Sequence, residues 1–214
     1  RAVYELLRYG VKVREGAGEQ HQTVWLIDWK HPEKNHFAIA EEVSIRGENK
    51  KRPDIVLYVN GIALGVLELK RSTVSVTEGI RQNLDNQKRA FIRWFFTTIQ
   101  LVMAGNDTEG LRYGVIETPE KYYLNWKEEN PAFKPGDPAD RKYLSSAECE
   151  GGSNPLDCAL LRLAEKQRFL ELIHNFMVFD AGTKKTCRHN QYFGVRAAQK
   201  RLQHREGGII WHAQ

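Results

Sequence analysis

"RPDIVLYVNGIALGVLELK", residues 52–70, holds two apolar runs joined by Asn60-Gly61. Asparagine-glycine between alternating hydrophobic residues is a strong short-range signal for a β-hairpin, because both residues tolerate the left-handed backbone of a tight turn. Three charges interrupt a stretch that otherwise reads as buried: Asp54 enters the first run, and Glu68 and Lys70 close the second. Side chains alternate along a strand, so the register decides whether those charges meet. With a strict two-residue turn, Val59 faces Ile62, Asp54 falls opposite Leu67, and the acids lie on opposite faces. With Gly61 as the left-handed residue of a G1 bulge, Tyr58 faces Ile62 and Asp54 faces Val66. Glu68 then sits diagonally beside Asp54, and Lys70 follows on the same face. A shared site requires the bulged register.

Such a site has a definite chemistry. Two adjacent carboxylates repel unless a cation lies between them, and hard oxygen donors of this kind suit Mg²⁺, which keeps waters and can also hold a phosphate oxygen. An ammonium beside the pair would hold and help deprotonate an attacking water and stabilise charge growing on a phosphate. Lys70 lies two residues along the strand from Glu68, within reach of that role.

Outward from the hairpin, "RAVYELLRYG" (1–10) carries Val3, Leu6 and Leu7 at helical spacing with Gly10 as a stop, so a first helix is expected that begins ahead of Arg1. "TVWLIDW" (23–29) and "HFAIAEEVSI" (36–45) read as strands. Ser75 and Glu78 form a capping-box pattern ahead of a helix whose apolar stripe is Ile80, Leu84, Phe91 and Phe95. Gln82, Asn86, Arg89 and Arg93 occupy another face of it. "TIQLVMAG" (98–105) and "LRYGVI" (111–116) follow as strands around a polar turn. The order implies an α/β fold with a mixed β-sheet flanked by helices.

Residues 1–118 are expected to form this core, and 119–154, with Pro119, Pro131, Pro135 and Pro138, an irregular linking region. Asn154-Pro155 is a helix start. From it Leu156, Leu160, Leu163, Leu170, Ile173 and Met177 carry one long amphipathic helix towards Phe179. A helix near 190–205 and a strand at 208–212 would begin a second domain.

The 214 residues are 41% hydrophobic and 28% charged, a composition of globular proteins. A net charge of +5, from 32 basic and 27 acidic residues, is a mild bias towards anionic partners. Cys149, Cys158 and Cys187 are odd in number and widely spaced, which argues for a reducing, cytoplasmic setting. With His189 they include no Cys-x-x-Cys pair, so no zinc site is assigned. No apolar run is long enough to cross a bilayer. A start at Arg1 and an end on the strand-like "GGIIWHAQ" suggest a piece of a longer chain.

"PD" at 53–54 with "ELK" at 68–70 resembles the PD-(D/E)xK nuclease motif. The wider phrase "DIVLYVNGIALGVLELK" is similar to the amino-terminal nuclease domain of the restriction (R) subunit of type I restriction-modification enzymes. "FLELIHNFMVFD", "RHNQYFGVRAA" and "GGIIWHAQ" resemble the run into the helicase-like motor of that subunit. The resemblance implies a restriction-endonuclease-like core, with 155–214 a helical connector and the truncated start of an ATPase motor. It implies Asp54 and Glu68 as metal ligands for Mg²⁺, Lys70 as the catalytic lysine, and Gln82 as the glutamine of the following helix. Many relatives carry tyrosine four residues after that glutamine, where this chain has Asn86. Gln191 matches the adenine-recognising glutamine of such motors, while the phosphate loop lies beyond the last residue, so ATP concerns the full-length protein only. Double-stranded DNA and the modification (methyltransferase) and specificity subunits are the implied partners, with no membrane. The implied activity is phosphodiester hydrolysis after ATP-driven translocation.

Two other readings remain open: a non-catalytic module docking motor to methyltransferase, and an independent DNA repair nuclease. Trp94, Phe95 and Phe96 fit core packing better than base stacking, and Arg89 and Arg93 fit solvated charge as well as phosphate contact. None of these joins the expected site.

Overall fold

The computed structural model describes residues 1–14, 16, 18–127, 154–205 and 207–209. Helix α1 (Ala2–Tyr9) leads into a two-stranded ribbon of β1 (Val11–Val13) and β2 (Gln22–Val24). The main sheet comprises β3 (Phe37–Glu41), β4 (Ile55–Val59), β5 (Ile62–Leu69), β6 (Leu101–Asn106), β7 (Gly110–Gly114) and β8 (Leu124–Asn125). They lie side by side in chain order; β5 and β6 are parallel and the other neighbours antiparallel. Parallel pairing demands a crossover, supplied by α2 (Val76–Asn86). The mixed α/β sheet expected from the sequence is therefore present.

Each face of the sheet covers a separate core. Val56, Val66 and Val102, all fully buried, point to one face with Ile92, Phe95 and Phe96, while Val76, Ile80 and Ala104 continue that face beneath α2. Burying each such aliphatic side chain is worth about 1.5–3 kcal/mol. The opposite face carries Val59, Leu64, Leu67, Leu101, Met103 and Tyr113. Against it pack Tyr4 and Leu7 of α1 and the helices α3 (Pro155–Leu163) and α4 (Lys166–Asn175). Beyond them lie the hairpin β9 (Met177–Asp180) and β10 (Thr183–Thr186), then α5 (His189–Gln203).

The hairpin register differs from the expected one. Asn60 (φ 51°) and Gly61 (φ 78°) are both left-handed, and Val59 pairs with Ile62, so the turn is the tight two-residue form. The irregularity lies farther along: Tyr58 pairs with Ala63 but Leu57 with Gly65, leaving Leu64 as the extra residue of β5. The Leu64 carbonyl accepts from the Gln100 N–H (2.7 Å), a partner outside the hairpin that holds the bulge. From there Ile55 pairs with Leu67, so Asp54 falls directly opposite Glu68.

Three helical expectations also change. α2 ends at Asn86, where the Gln87 side chain accepts from the Glu117 N–H (2.7 Å) and donates to the Asn83 carbonyl (3.2 Å). Phe95 reaches the core from a 3₁₀ turn, Arg93–Thr97, rather than from a continuing stripe. Ser75 does cap α2, accepting from the Thr77 N–H, but Glu78 pairs with Arg81 instead of closing a capping box. The long helix expected from Pro155 breaks at Ala164, because the Glu165 carboxylate caps a new helix through the Gln167 and Arg168 N–H groups. Met177 and Phe179 belong to a strand, turned by Ala181 (φ 47°) and Gly182 (φ 83°). Most of the linking region expected at 119–154, Cys149, and residues 210–212 of the expected last strand lie outside the described residues. Among the described residues no helix is long and apolar enough to cross a membrane.

Candidate active site

The acids meet where β4 begins and β5 ends. Opposed positions across an antiparallel pair share a face, so Asp54 and Glu68 project together towards α2. The Asp54 Oδ2 accepts from the Leu69 N–H (2.7 Å), which fixes that carboxylate against the end of β5. Glu68 is fully buried. Lys70 continues the line, its N–H donating to the Gly105 carbonyl (2.9 Å) so that the parallel pairing with β6 extends past the strand.

Helix α2 supplies the partners. Gln82 and Asn86 are one turn apart on the same face. Gln82 Nε2 donates to Glu68 Oε2 (2.7 Å), while its Oε1 accepts from Lys70 Nζ (2.5 Å). Asn86 Nδ2 donates to Glu68 Oε1 (3.3 Å). The helix can lie this close because residue 79 is glycine: a Cβ there would sit 3.1 Å from the Ala104 Cβ and 3.4 Å from the Lys70 Cγ. The structure thus brings Asp54, Glu68, Lys70 and Gln82 into one cluster. Gln191 is elsewhere: it stands in the first turn of α5, where its Oε1 accepts from the Arg188 N–H (2.8 Å).

Burial pushes the Glu68 carboxyl up to about 8, with the facing Asp54 carboxylate adding to the effect. Lys70 and then Lys51 pull the other way without cancelling it. A pair of acids that retains a proton near neutrality is short of positive charge. The donors fit a hard divalent cation: two carboxylates, and on the Asn86 amide a buried Oδ1 without a hydrogen-bond partner among the described residues. No group of three His, Cys, Asp or Glu side chains that could hold a metal occurs among the described residues, so the fit rests on the two acids. Cys187 is a free thiol.

Two neighbours of the acids were not assigned from sequence. Asn86 stood out only as the position where relatives carry tyrosine, yet it bonds Glu68 directly. Lys51 lies three residues before Asp54 in the "KKRPD" run, and nothing in that spacing singles it out from Lys50 or Arg52.

A sequence model of the family described as type I restriction enzyme R protein N terminus matches residues 1–121. The chain belongs to this family. It is 26% identical to the putative type I restriction enzyme MjaIXP endonuclease subunit of Methanocaldococcus jannaschii, over 99% of this chain and 22% of that protein. It is also 26% identical to the type I restriction enzyme HindI endonuclease subunit of Haemophilus influenzae, over 99% of this chain and 20% of that protein. The MjaVIIP endonuclease subunit of M. jannaschii is 27% identical, over 98% and 20%. The chain spans about a fifth of the length of these curated relatives. The six-stranded mixed sheet is that expected of a restriction-endonuclease-like core.

Proposed function

We propose that this chain is the Mg²⁺-dependent nuclease domain of a type I restriction enzyme R subunit and hydrolyses phosphodiester bonds of double-stranded DNA. One observation carries the reading: Asp54 stands opposite Glu68 across β4 and β5, and on the same face Gln82 bridges Glu68 and Lys70 by hydrogen bonds. Family membership supports a restriction nuclease role. In the full-length protein the cut would follow ATP-driven translocation by the motor, with Gln191 at the adenine site. Sequence choice would come from the specificity and modification subunits.

Asp54 and Glu68 would hold the metal, which when bound supplies Lewis-acid polarisation of a phosphoryl oxygen and a water of lowered pKa. The chain's own groups do the rest. Lys70 Nζ lies on the same face as the acids, where an ammonium can hold the attacking water and stabilise the developing phosphorane charge. Gln82 orients both: its amide carbonyl holds the lysine and its amide N–H groups hold the glutamate, so neither side chain can swing independently. Asn86 secures the second Glu68 oxygen.

The test is to replace Asp54 or Lys70 with alanine in the complete enzyme. Loss of cutting with translocation retained supports the assignment, and normal cutting by either variant refutes it.

A further inference from the structure

Gly47 and Glu48 on one side and the segment at 89–97 on the other border an open, shallow surface groove. Gly47 and Glu48 line it from one side and Arg89, Phe91, Arg93 and Trp94 from the other. The two sides are fastened together. Asn49 Nδ2 donates to the Ala90 carbonyl (2.8 Å) and Trp94 Nε1 to the Arg46 carbonyl (3.2 Å). Gly47 lies so near the Phe91 carbonyl oxygen that a Cβ would stand 2.0 Å from it. The groove is therefore a built feature of the fold.

Its aromatic residues are divided. Phe95 and Phe96 are buried, but Trp94 is 59% exposed. The indole is nonetheless held: its N–H is committed to Arg46, and the Phe95 ring meets it edge-on, with centroids 6.3 Å apart at 85°. A fixed aromatic face turned to solvent offers a flat apolar surface on which a partner can pack. The charges say which partner. Arg93 is engaged, donating to Glu117 (2.6 Å) and to the Gln87 carbonyl (3.5 Å), whereas Arg89 is exposed and makes no ion pair among the described residues. Lys51 sits 4.1 Å from the Phe91 ring centroid, its backbone bridged to Ile45, and its charge reaches Glu68. Phe91 thus belongs to the groove while its ring holds the Lys51 ammonium, whose charge is felt at Glu68. On the other flank the Ile92 N–H donates to the carbonyl of Asn86 (3.2 Å), whose side chain bonds Glu68. Glu48 is the groove's one acidic wall residue against two arginines.

We infer that this groove seats the sugar–phosphate backbone of the DNA strand beside the bond to be cut, with Trp94 packed on deoxyribose, Arg89 on a phosphate, and Lys51 on the phosphate next to the acids. The inference rests on the nuclease reading above. Backbone contacts of this kind position a duplex without reading its sequence, which suits a domain that takes its address from other subunits.

The experiment measures single-turnover cleavage of plasmid DNA by the full-length enzyme carrying Arg89→Gln, Trp94→Ala or Lys51→Gln, with Lys70→Ala as reference. Each groove variant is expected to cut about ten- to a hundredfold more slowly, the loss of a charged contact or its equivalent. ATP turnover should stay at the parent value in all three, and the thermal midpoint of Arg89→Gln, whose side chain makes no ion pair among the described residues, should stay there too. Arg89→Lys and Trp94→Phe should recover most of the rate, which a merely structural defect would not predict. The salt dependence of cleavage by Arg89→Gln should be shallower, by about one in the log–log slope. Parent rates in Arg89→Gln and Trp94→Ala, with Lys70→Ala inactive, overturn the groove alone. Cutting by Lys70→Ala overturns the nuclease reading beneath it.

Discussion

Asp54 and Glu68 stand directly opposite one another across β4 and β5 because Leu64 is an extra residue in β5. Without that residue the tight Asn60-Gly61 turn would put Asp54 opposite Leu67 and turn the acids to opposite faces of the sheet. The bulge is what converts an ordinary hairpin into one that opposes two carboxylates, and Glu68, by its burial first and by the Asp54 charge second, keeps its proton well above the usual carboxylate range.

Cation binding should therefore be linked to pH. Glu68 is held up to about 8 by burial and by Asp54, so near pH 7 the metal-free site retains a proton on Glu68. A divalent cation favours the ionised form and must displace that proton. Affinity for Mn²⁺ is expected to rise from pH 6 to 8 and level off above, with close to one proton released per ion at pH 7. Calorimetry in two buffers of different ionisation enthalpy measures this directly. Glu68→Ala should weaken binding and abolish the linkage; an unchanged affinity in that variant would remove the acid pair as the site.

Gln82 holds Lys70 and Glu68 at once, so its loss should be felt as misplacement rather than loss of a charge. Gln82→Ala is expected to slow cleavage by about a hundredfold while leaving DNA binding near the parent level. Gln82→Glu should be worse, because a third carboxylate cannot donate to Glu68 and repels it. Rate profiles against pH separate the cases: in Gln82→Glu the ascending limb moves to higher pH. Equal rates for all three proteins would deny Gln82 any positioning role.

Asn86 gives a gentler test. Its amide donates to Glu68 in a buried setting, and removing one partner of such a bond costs about 1–3 kcal/mol. Asn86→Ala should lower the thermal midpoint accordingly. Asn86→Asp should destabilise the metal-free protein at neutral pH yet bind Mn²⁺ more tightly, since it adds a third hard donor beside the pair. Opposite movement of stability and affinity is the signature to look for in calorimetry.

The sheet, the α2 crossover and the acid pair were legible from sequence, because alternation in residues 55–69 and the capped helix after Ser75 are local signals. The bulge is legible in parity but not in place: the turn-prone type of Gly61 points to that position, whereas the extra residue is Leu64, whose type carries no such mark. Its holding contact comes from Gln100, 36 residues away, a tertiary cause invisible in the hairpin. The same applies to the early end of α2, where Gln87 is drawn to Glu117. Periodicity also joined α3 to α4, since Leu163 and Leu170 keep helical spacing across a break that Glu165 imposes by capping. The contribution of Lys51 depends on where a loop folds back over Phe91, which spacing along the chain does not encode.

Lys184 supplies a stability test remote from the acids. This lysine of β10 is 8% exposed, lies 5.2 Å from the Tyr4 ring centroid and donates to Gln100 Oε1, so its stem and amine are enclosed between α1 and the start of β6. Burial lowers it to about 7, from an ordinary value of 10.5. Between those values the unfolded chain holds a proton that the folded chain has released. Folding stability must then rise with pH through this window, by up to about 1.4 kcal/mol per unit, and the gain is lost as pH falls to 7 and below. Lys184→Met keeps the apolar stem and removes the proton. It is expected to raise the thermal midpoint at pH 6 and to make stability less dependent on pH from 7 to 10. Urea titrations of parent and variant at four pH values across that range measure the two slopes, and parallel curves would show that Lys184 stays protonated in its enclosure.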